Sequence, residues 1–237
     1  LLPTNASTST NRTLGFTWNV STDDNGDIPS YNLVIDDSAT FNNPEINVTG
    51  IINTTLENVT YDITTELSVD TTYYWRVRAN DSGGYGSESS MFNFTLQSLL
   101  SLTVLNNTVA FGTVNPGANL TTSNRTTAGS ASPFLIENRG NIIANITVTA
   151  TPFFMIPTYP SFNYQFRTEV NKTGSFNTSI SNTSFINMNT SSAVPHVLNL
   201  DWHSQQNDVV IGLNVSVPND EPAGTKNSEV TFTVASG

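Results

Sequence analysis

Apolar and polar residues alternate along much of this chain with a period of two, the pattern of strands that bury one face. The alternation is clearest in Leu14-Gly15-Phe16-Thr17-Trp18, Tyr31-Asn32-Leu33-Val34-Ile35, Tyr73-Tyr74-Trp75-Arg76-Val77-Arg78-Ala79 and Val230-Thr231-Phe232-Thr233-Val234. Turn-forming pairs stand between such runs: Asn25-Gly26, Gly83-Gly84, Pro116-Gly117, Gly140-Asn141 and Ala223-Gly224. No window carries the 3.6-residue apolar stripe of a helix. Short strands with frequent turns predict an all-β protein built of sandwiches. A length of 237 residues suits two ordinary domains, with an expected boundary between residues 97 and 98.

Residues 1–97 resemble a fibronectin type III domain. Trp18 stands where that family has its strand-B core tryptophan, and Tyr31 suits strand C. The stretch Leu67-Ser68-Val69-Asp70-Thr71-Thr72-Tyr73-Tyr74-Trp75-Arg76-Val77-Arg78-Ala79 is similar to the family's tyrosine-corner segment. The resemblance implies a Tyr73 ring in the core with its hydroxyl bonded to backbone at the corner. It implies a recognition or spacer module, with no catalysis attached to the fold. The segment before Thr13 is polar and predicts a weak first strand.

Residues 98–237 form a second β-unit. Its runs Phe111-Gly112-Thr113-Val114-Asn115-Pro116-Gly117 and Phe134-Leu135-Ile136-Glu137-Asn138-Arg139-Gly140-Asn141, leading into Asn145-Ile146-Thr147-Val148, are similar to the camelysin/TasA type of biofilm-fibre sandwich. Val215-Ser216-Val217-Pro218 followed by Pro222-Ala223-Gly224-Thr225 shares that cadence, which Ig-like and jelly-roll-like surface domains also show. Residues 152–190 fit it less well and are expected to be an insertion of edge strands and loops.

Composition narrows the function classes. Charged residues are 11% of the chain, against about 25% in ordinary domains, and 35 Thr, 31 Asn and 26 Ser take their place. The net charge of −11 leaves no Lys/Arg cluster to meet a phosphate backbone, which excludes nucleic-acid binding. Residues 1–98 carry 12 acids and 3 bases; residues 99–237 carry 7 acids and 5 bases. The first half is therefore the one to attract cations. Cysteine is absent, so disulfides, thiol catalysis and Cys-based metal sites are excluded. No run of 18 apolar residues inserts this segment into a membrane. The opening Leu1-Leu2-Pro3 reads as an excised piece whose signal or anchor lies outside it.

Seventeen Asn-x-Ser/Thr sequons begin at Asn5, Asn11, Asn19, Asn47, Asn53, Asn58, Asn80, Asn93, Asn106, Asn119, Asn124, Asn145, Asn171, Asn177, Asn182, Asn189 and Asn214. Composition alone gives roughly 8. In seven of them the middle residue is apolar: Val20, Val48, Val59, Phe94, Leu120, Ile146 and Val215. On a strand this turns Asn and Thr outward and the middle residue inward. Two readings follow: covalent N-glycans, or simply the polar face of half-buried strands. Sequons in a Cys-free chain point to an extracellular, archaeal-type surface glycoprotein.

Asp23-Asp24-Asn25-Gly26-Asp27 clusters hard oxygens about a Gly turn, and Asp23, Asn25 and Asp27 are the candidate Ca²⁺ ligands, with an acidic turn as the alternative. The only histidines, His196 and His203, are seven apart and would face opposite sides of one strand, so neither a metal site nor an acid–base pair is expected of them. No nucleophile elbow is present. Gly83-Gly84-Tyr85-Gly86-Ser87 is a hairpin turn with no helix behind it to bind phosphate. Phe153-Phe154-Met155-Ile156 and Tyr159 are either core or a contact patch.

The sequence thus predicts a non-enzymatic structural subunit of an extracellular fibre or surface layer, copies of which join by β-strand contacts. The weak first strand and the clean strand carrying Val230, Phe232 and Val234 predict strand exchange between copies. The alternatives are an adhesive ectodomain that binds cell-surface glycans and a spacer region of a secreted hydrolase.

Overall fold

In a computed structural model the described residues are 1–22, 29–52, 57–122, 131–154, 162–188 and 194–237, with backbone alone at 194 and 195. Every regular element among them is a strand, and the fold is all-β and sandwich-like. The chain divides into two compact units, Leu1–Ser98 and Leu99–Gly237.

The first unit contains β1 (Ser7–Ser9), β2 (Gly15–Trp18), β3 (Ser30–Asp36), β4 (Ile46–Ile52), β5 (Val59–Asp62), β6 (Thr71–Asp81), β7 (Gly84–Glu88) and β8 (Phe92–Leu96). One sheet runs β1-β8-β6-β3-β4, with β7 also on β6; β2 and β5 form the facing sheet. Alternation decides what lies between them. Phe16 and Trp18 point in from β2, Tyr31, Leu33 and Ile35 from β3, Tyr73 and Trp75 from β6, and Phe94 and Leu96 from β8; all are buried. Tyr74 and Arg76, one step out of phase on β6, are half-buried. The rings interlock edge to face: Phe16 on Trp75 at 5.3 Å and Trp18 on Tyr31 at 5.6 Å between centroids.

The Tyr73 hydroxyl accepts a hydrogen bond from the Ser68 backbone N–H at 2.9 Å, which makes the corner expected from the sequence. Tyr31 does the same for Ser21 N–H at 2.7 Å. Replacing Trp18 with Ala is expected to cost about 3–5 kcal/mol of unfolding free energy, the usual figure for emptying an aromatic core site. Denaturant unfolding of that variant checks it, and an unchanged midpoint contradicts the packing.

The polar opening segment is better anchored than its composition predicts. Leu2 and Thr17 exchange two backbone hydrogen bonds of 2.8 Å. The chain then crosses to the other sheet, where Ser7–Ser9 pair in parallel with Phe94–Leu96. Backbone pairing needs N–H and C=O groups, not apolar side chains, so hydropathy alone under-reads such a strand.

The second unit contains β9 (Leu102–Asn106), β10 (Asn119–Thr121), β11 (Phe134–Asn138), β12 (Ala144–Ala150), β13 (Tyr164–Val170), β14 (Ile186–Asn187), β15 (Val194–Leu200), β16 (Asp208–Ser216) and β17 (Val230–Ser236). One sheet runs β14-β13-β16-β11-β9, with β10 also on β16; the other runs β15-β12-β17. Among the described residues, every strand pairing in this unit is antiparallel. Ile136, Ile146, Val148, Phe166, Val209, Ile211 and Val215 fill the space between the sheets.

Two expectations are corrected here. The described part of residues 152–190 is more than an insertion of edge strands and loops: β14 does stand at the sheet's edge, but β13 lies inside the main sheet, paired with β16 at seven positions, and Tyr164, Phe166, Phe176 and Met188 are core. The expected spare strand is not spare either. β17 pairs with β12 from Val230↔Ala150 to Ser236↔Ala144. Val230, Phe232 and Val234 pack against their own unit's core, with Phe232 edge-on to Phe134 at 5.4 Å.

Candidate functional site

In the first unit, β6 changes partner part-way along its length. Thr71–Trp75 pair with β8, Arg78–Asp81 pair with β7, and the register shifts between Arg78 and Asn80. Ser89 sits at the change-over. Its N–H donates to Val77 O at 2.8 Å and its hydroxyl accepts from Val77 N–H at 3.0 Å. This break in the ladder opens a cleft of about 320 Å³. Trp18, Tyr31, Trp75 and Phe92 form its aromatic wall, and Glu88, Ser89 and Ser90 are among its polar lining. Trp75 stacks on Phe92 at 5.1 Å. Glu88 is held by an ion pair with Arg76, whose guanidinium lies 4.2 Å over the Phe41 ring.

The indole Nε1 atoms of Trp18 and Trp75 are buried and have no hydrogen-bond partner among the described residues. A buried donor left without a partner costs about 1–3 kcal/mol. The cleft brings aromatic surface, hydroxyls and one carboxylate into one place, while the two indole N–H groups are buried beneath it. Sequence reading assigned the aromatic residues to the core alone. The signal it missed is the polar run Ser87-Glu88-Ser89-Ser90 following the Gly-rich hairpin.

Three sequon asparagines, Asn53, Asn124 and Asn189, lie outside the described residues, as do Asp23, Asn25 and Asp27. None of the other sequon asparagines is buried. The buried asparagines are Asn138, Asn141, Asn163 and Asn207, and none of these begins a sequon. In all seven sequons with an apolar middle residue, that residue is more buried than the Asn and Ser/Thr beside it.

Hydrogen bonding divides the sites further. At Asn5, Asn47, Asn119 and Asn177 the side-chain carbonyl accepts a bond, from Asn93 N–H, Asn32 Nδ2, Ser216 Oγ and Ser179 N–H respectively. Among the described residues, no hydrogen bond engages their amide nitrogens. At Asn171, Asn214 and Asn106 the amide nitrogen is engaged, donating to Asp208 Oδ1, Gln165 Oε1 and Pro133 O.

The two histidines are far apart in character. His203 is exposed, paired with Asp201 and stacked on Trp202. Partial burial raises the Asp201 carboxyl, but hydrogen bonds from the His203 N–H and ring, with the ring's charge, outweigh it and hold it below the usual range. His196 is fully buried, 4.2 Å from the Phe166 ring centroid, and burial pushes its imidazole down to about 3.

Asp36, Asp37 and Glu45 bring three carboxylates within 4.8 Å of one another, a set that could meet a hard cation. Two of the turn's own N–H groups, Ser38 and Asn43, already donate to Asp36. Phe154 is core and Phe153 packs on Tyr164 at 5.2 Å, so this pair is packing, while Met155, Ile156 and Tyr159 lie outside the described residues.

No protein-family model matches the chain, and no curated protein matches it. Its structure is similar to part of an alpha-L-rhamnosidase from Dictyoglumus thermophilum, at 12% identity and TM-score 0.31, covering 98% of this chain and 26% of that one. It is similar to part of the Streptomyces avermitilis alpha-L-rhamnosidase complexed with L-rhamnose, at 11% identity and TM-score 0.32, covering 99% and 24%. A carbohydrate-binding module of the β-sandwich superfamily aligns at 13% identity and TM-score 0.23, covering 98% and 92%. The chain spans about a quarter of the length of the two rhamnosidases.

Proposed function

We propose that this chain is an extracellular recognition module that binds a saccharide in the cleft of its first unit. One observation carries the reading: an aromatic wall of Trp18, Tyr31, Trp75 and Phe92 lines the same cleft as serine hydroxyls and a carboxylate. A sugar offers hydroxyl donors for Glu88 and C–H faces for the aromatic rings. The Tyr73 corner supports a fibronectin type III-like reading of this unit. Such a module acts by holding a glycan, as an adhesin or as the accessory region of a larger secreted protein. Self-assembly by strand exchange is left without its motive, since both strands it needed are paired within the chain.

The test is calorimetry or ligand-observed NMR against a panel of mono- and oligosaccharides, with Ser90→Trp as the blocking variant. Ser90 is exposed at the cleft, so a bulky ring there fills space without entering the core. Binding of at least one sugar, weakened about tenfold or more (roughly 1.4 kcal/mol) in the variant, is the expected result. Absence of binding across the panel, or equal binding by the variant, refutes the reading.

The chain also carries N-glycans in this reading, supported by the separation of sequon asparagines from buried ones. Glycopeptide mapping of protein from its native host is expected to find Asn5, Asn47, Asn119 and Asn177 occupied. Asn106, Asn171 and Asn214, whose amide nitrogens are engaged, are expected to be bare. Occupancy of the second set, or none of the first, contradicts this partition.

A further inference from the structure

The polar network at one end of the second unit holds three reactive groups in sequence. Lys172 lies just past the end of β13, Asn207 just before β16, and Glu137 on β11; these are three adjacent strands of one sheet. Lys172 Nζ is 2.7 Å from Asn207 Oδ1 and 3.1 Å from Asp208 Oδ2. Asn207 Nδ2 in turn donates to Glu137 Oε1 at 3.2 Å and to Asn138 O at 3.3 Å. Asn207 and Asp208 are both buried, and Asn207 O also accepts from Asn138 N–H at 2.7 Å. An amine therefore rests against a buried carboxamide whose own nitrogen rests against a carboxylate, the amine itself remaining part-exposed.

We propose that Lys172 and Asn207 become joined by a side-chain amide bond, with Glu137 carrying the proton. Asp208, already paired to the ammonium, takes one proton and frees the amine. The Nζ lone pair attacks Asn207 Cγ, whose Oδ1 already lies 2.7 Å from Nζ. The carbonyl electron pair moves to Oδ1. Glu137 removes a proton from the attacking nitrogen and delivers one to Nδ2. The pair on Oδ1 returns, the Cγ–Nδ2 bond breaks, and ammonia leaves, collecting the proton from Asp208 as ammonium. Nothing is oxidised or reduced, and no co-reactant enters. Asp208 is the less suitable acyl partner, because its other oxygen holds the Asn171 amide and no leaving nitrogen is present. The bond closes the loop of residues 173–206, the kind of constraint a disulfide supplies in other extracellular domains and that a Cys-free chain must obtain otherwise.

Intact-mass measurement of the full chain, produced in a bacterial cytoplasm to keep it free of glycans, is the test. The expected mass is about 17 Da below the sequence value, the loss of one ammonia. Tryptic digestion is expected to give one branched peptide joining Lys172 to Asn207, uncut after Lys172. An unaltered mass overturns the proposal. So does a loss of ammonia without the branched peptide, or a loss of about 18 Da with the link at Asp208. A Glu137→Gln chain that is folded by circular dichroism is expected to keep its full mass; if it also loses ammonia, Glu137 is not the proton carrier.

Discussion

Deleting residues 227–237 is expected to unfold the second unit, rather than leave it folded and short of a docking strand. β17 supplies seven paired positions to β12, whose Ala144, Ile146, Val148 and Ala150 are buried. It also lays Val230, Phe232 and Val234 over the core. Burying a large apolar side chain contributes about 1.5–3 kcal/mol, so three partly buried ones sum to roughly 5 kcal/mol. That is the whole stability of many domains, about 5–15 kcal/mol, before the lost ladder hydrogen bonds are counted. The first unit has its own core and should keep its cooperative transition. Near-ultraviolet circular dichroism and limited proteolysis of the truncated chain distinguish the two units. If the second unit instead melts as before, and an added peptide of residues 227–237 binds to it, strand exchange between copies is restored.

The fold class was legible because period-two alternation is a local signal. Tyr73, Trp75 and Phe16 need no distant partner to declare a buried face. β13 was misread for a reason visible in its residues. Tyr164-Gln165-Phe166-Arg167-Thr168-Glu169 does alternate, but a threonine holds the third inward position. Thr168 is tolerated in the core because its hydroxyl engages His196 on β15, a contact across the sandwich that no local pattern carries. The spare-strand inference failed in the opposite way. It treated polar side chains at Ser7–Ser9 as evidence against pairing, although the ladder is made by backbone.

The candidate sites divide on the same line. The outward turn of sequon asparagines follows from alternation and could be read directly. Which amides are free could not, since Asp208 claims Asn171 only through the register of β13 against β16. Lys172 and Glu137 precede Asn207 by 35 and 70 positions, and the three meet only once the sheet is formed. The cleft is lined by residues from Leu1 to Phe92 that meet only in the folded unit, so no local pattern carries it.

His196 is expected to make the second unit acid-labile well above the range in which carboxylates titrate. The Thr168 hydroxyl contacts both His196 Nε2, at 3.0 Å, and His196 O, at 3.2 Å. Its single proton goes to the carbonyl, so Nε2 carries the ring hydrogen and Nδ1 is bare. Nδ1 is buried without a partner among the described residues. Adding a proton there would put a charge beside Phe166 in a buried site, and that burial, offset only in part by a hydrogen bond to the Arg167 backbone, lowers the group from 6.5 to about 3. In the unfolded chain the ring keeps its ordinary affinity. Between pH 6.5 and about 3 the unfolded state therefore binds the extra proton, and stability falls with pH throughout that window. At 1.36 kcal/mol per unit the loss is about 2 kcal/mol at pH 5 and about 4–5 kcal/mol at the lower end. His196→Gln retains an amide that can reach Thr168 and removes the titration. Urea unfolding of both proteins from pH 7.5 to 4 is expected to give curves that converge on acidification, the wild type losing its advantage. Parallel curves would mean that His196 takes up its proton in the folded state, and that the buried Nδ1 finds an acceptor after all.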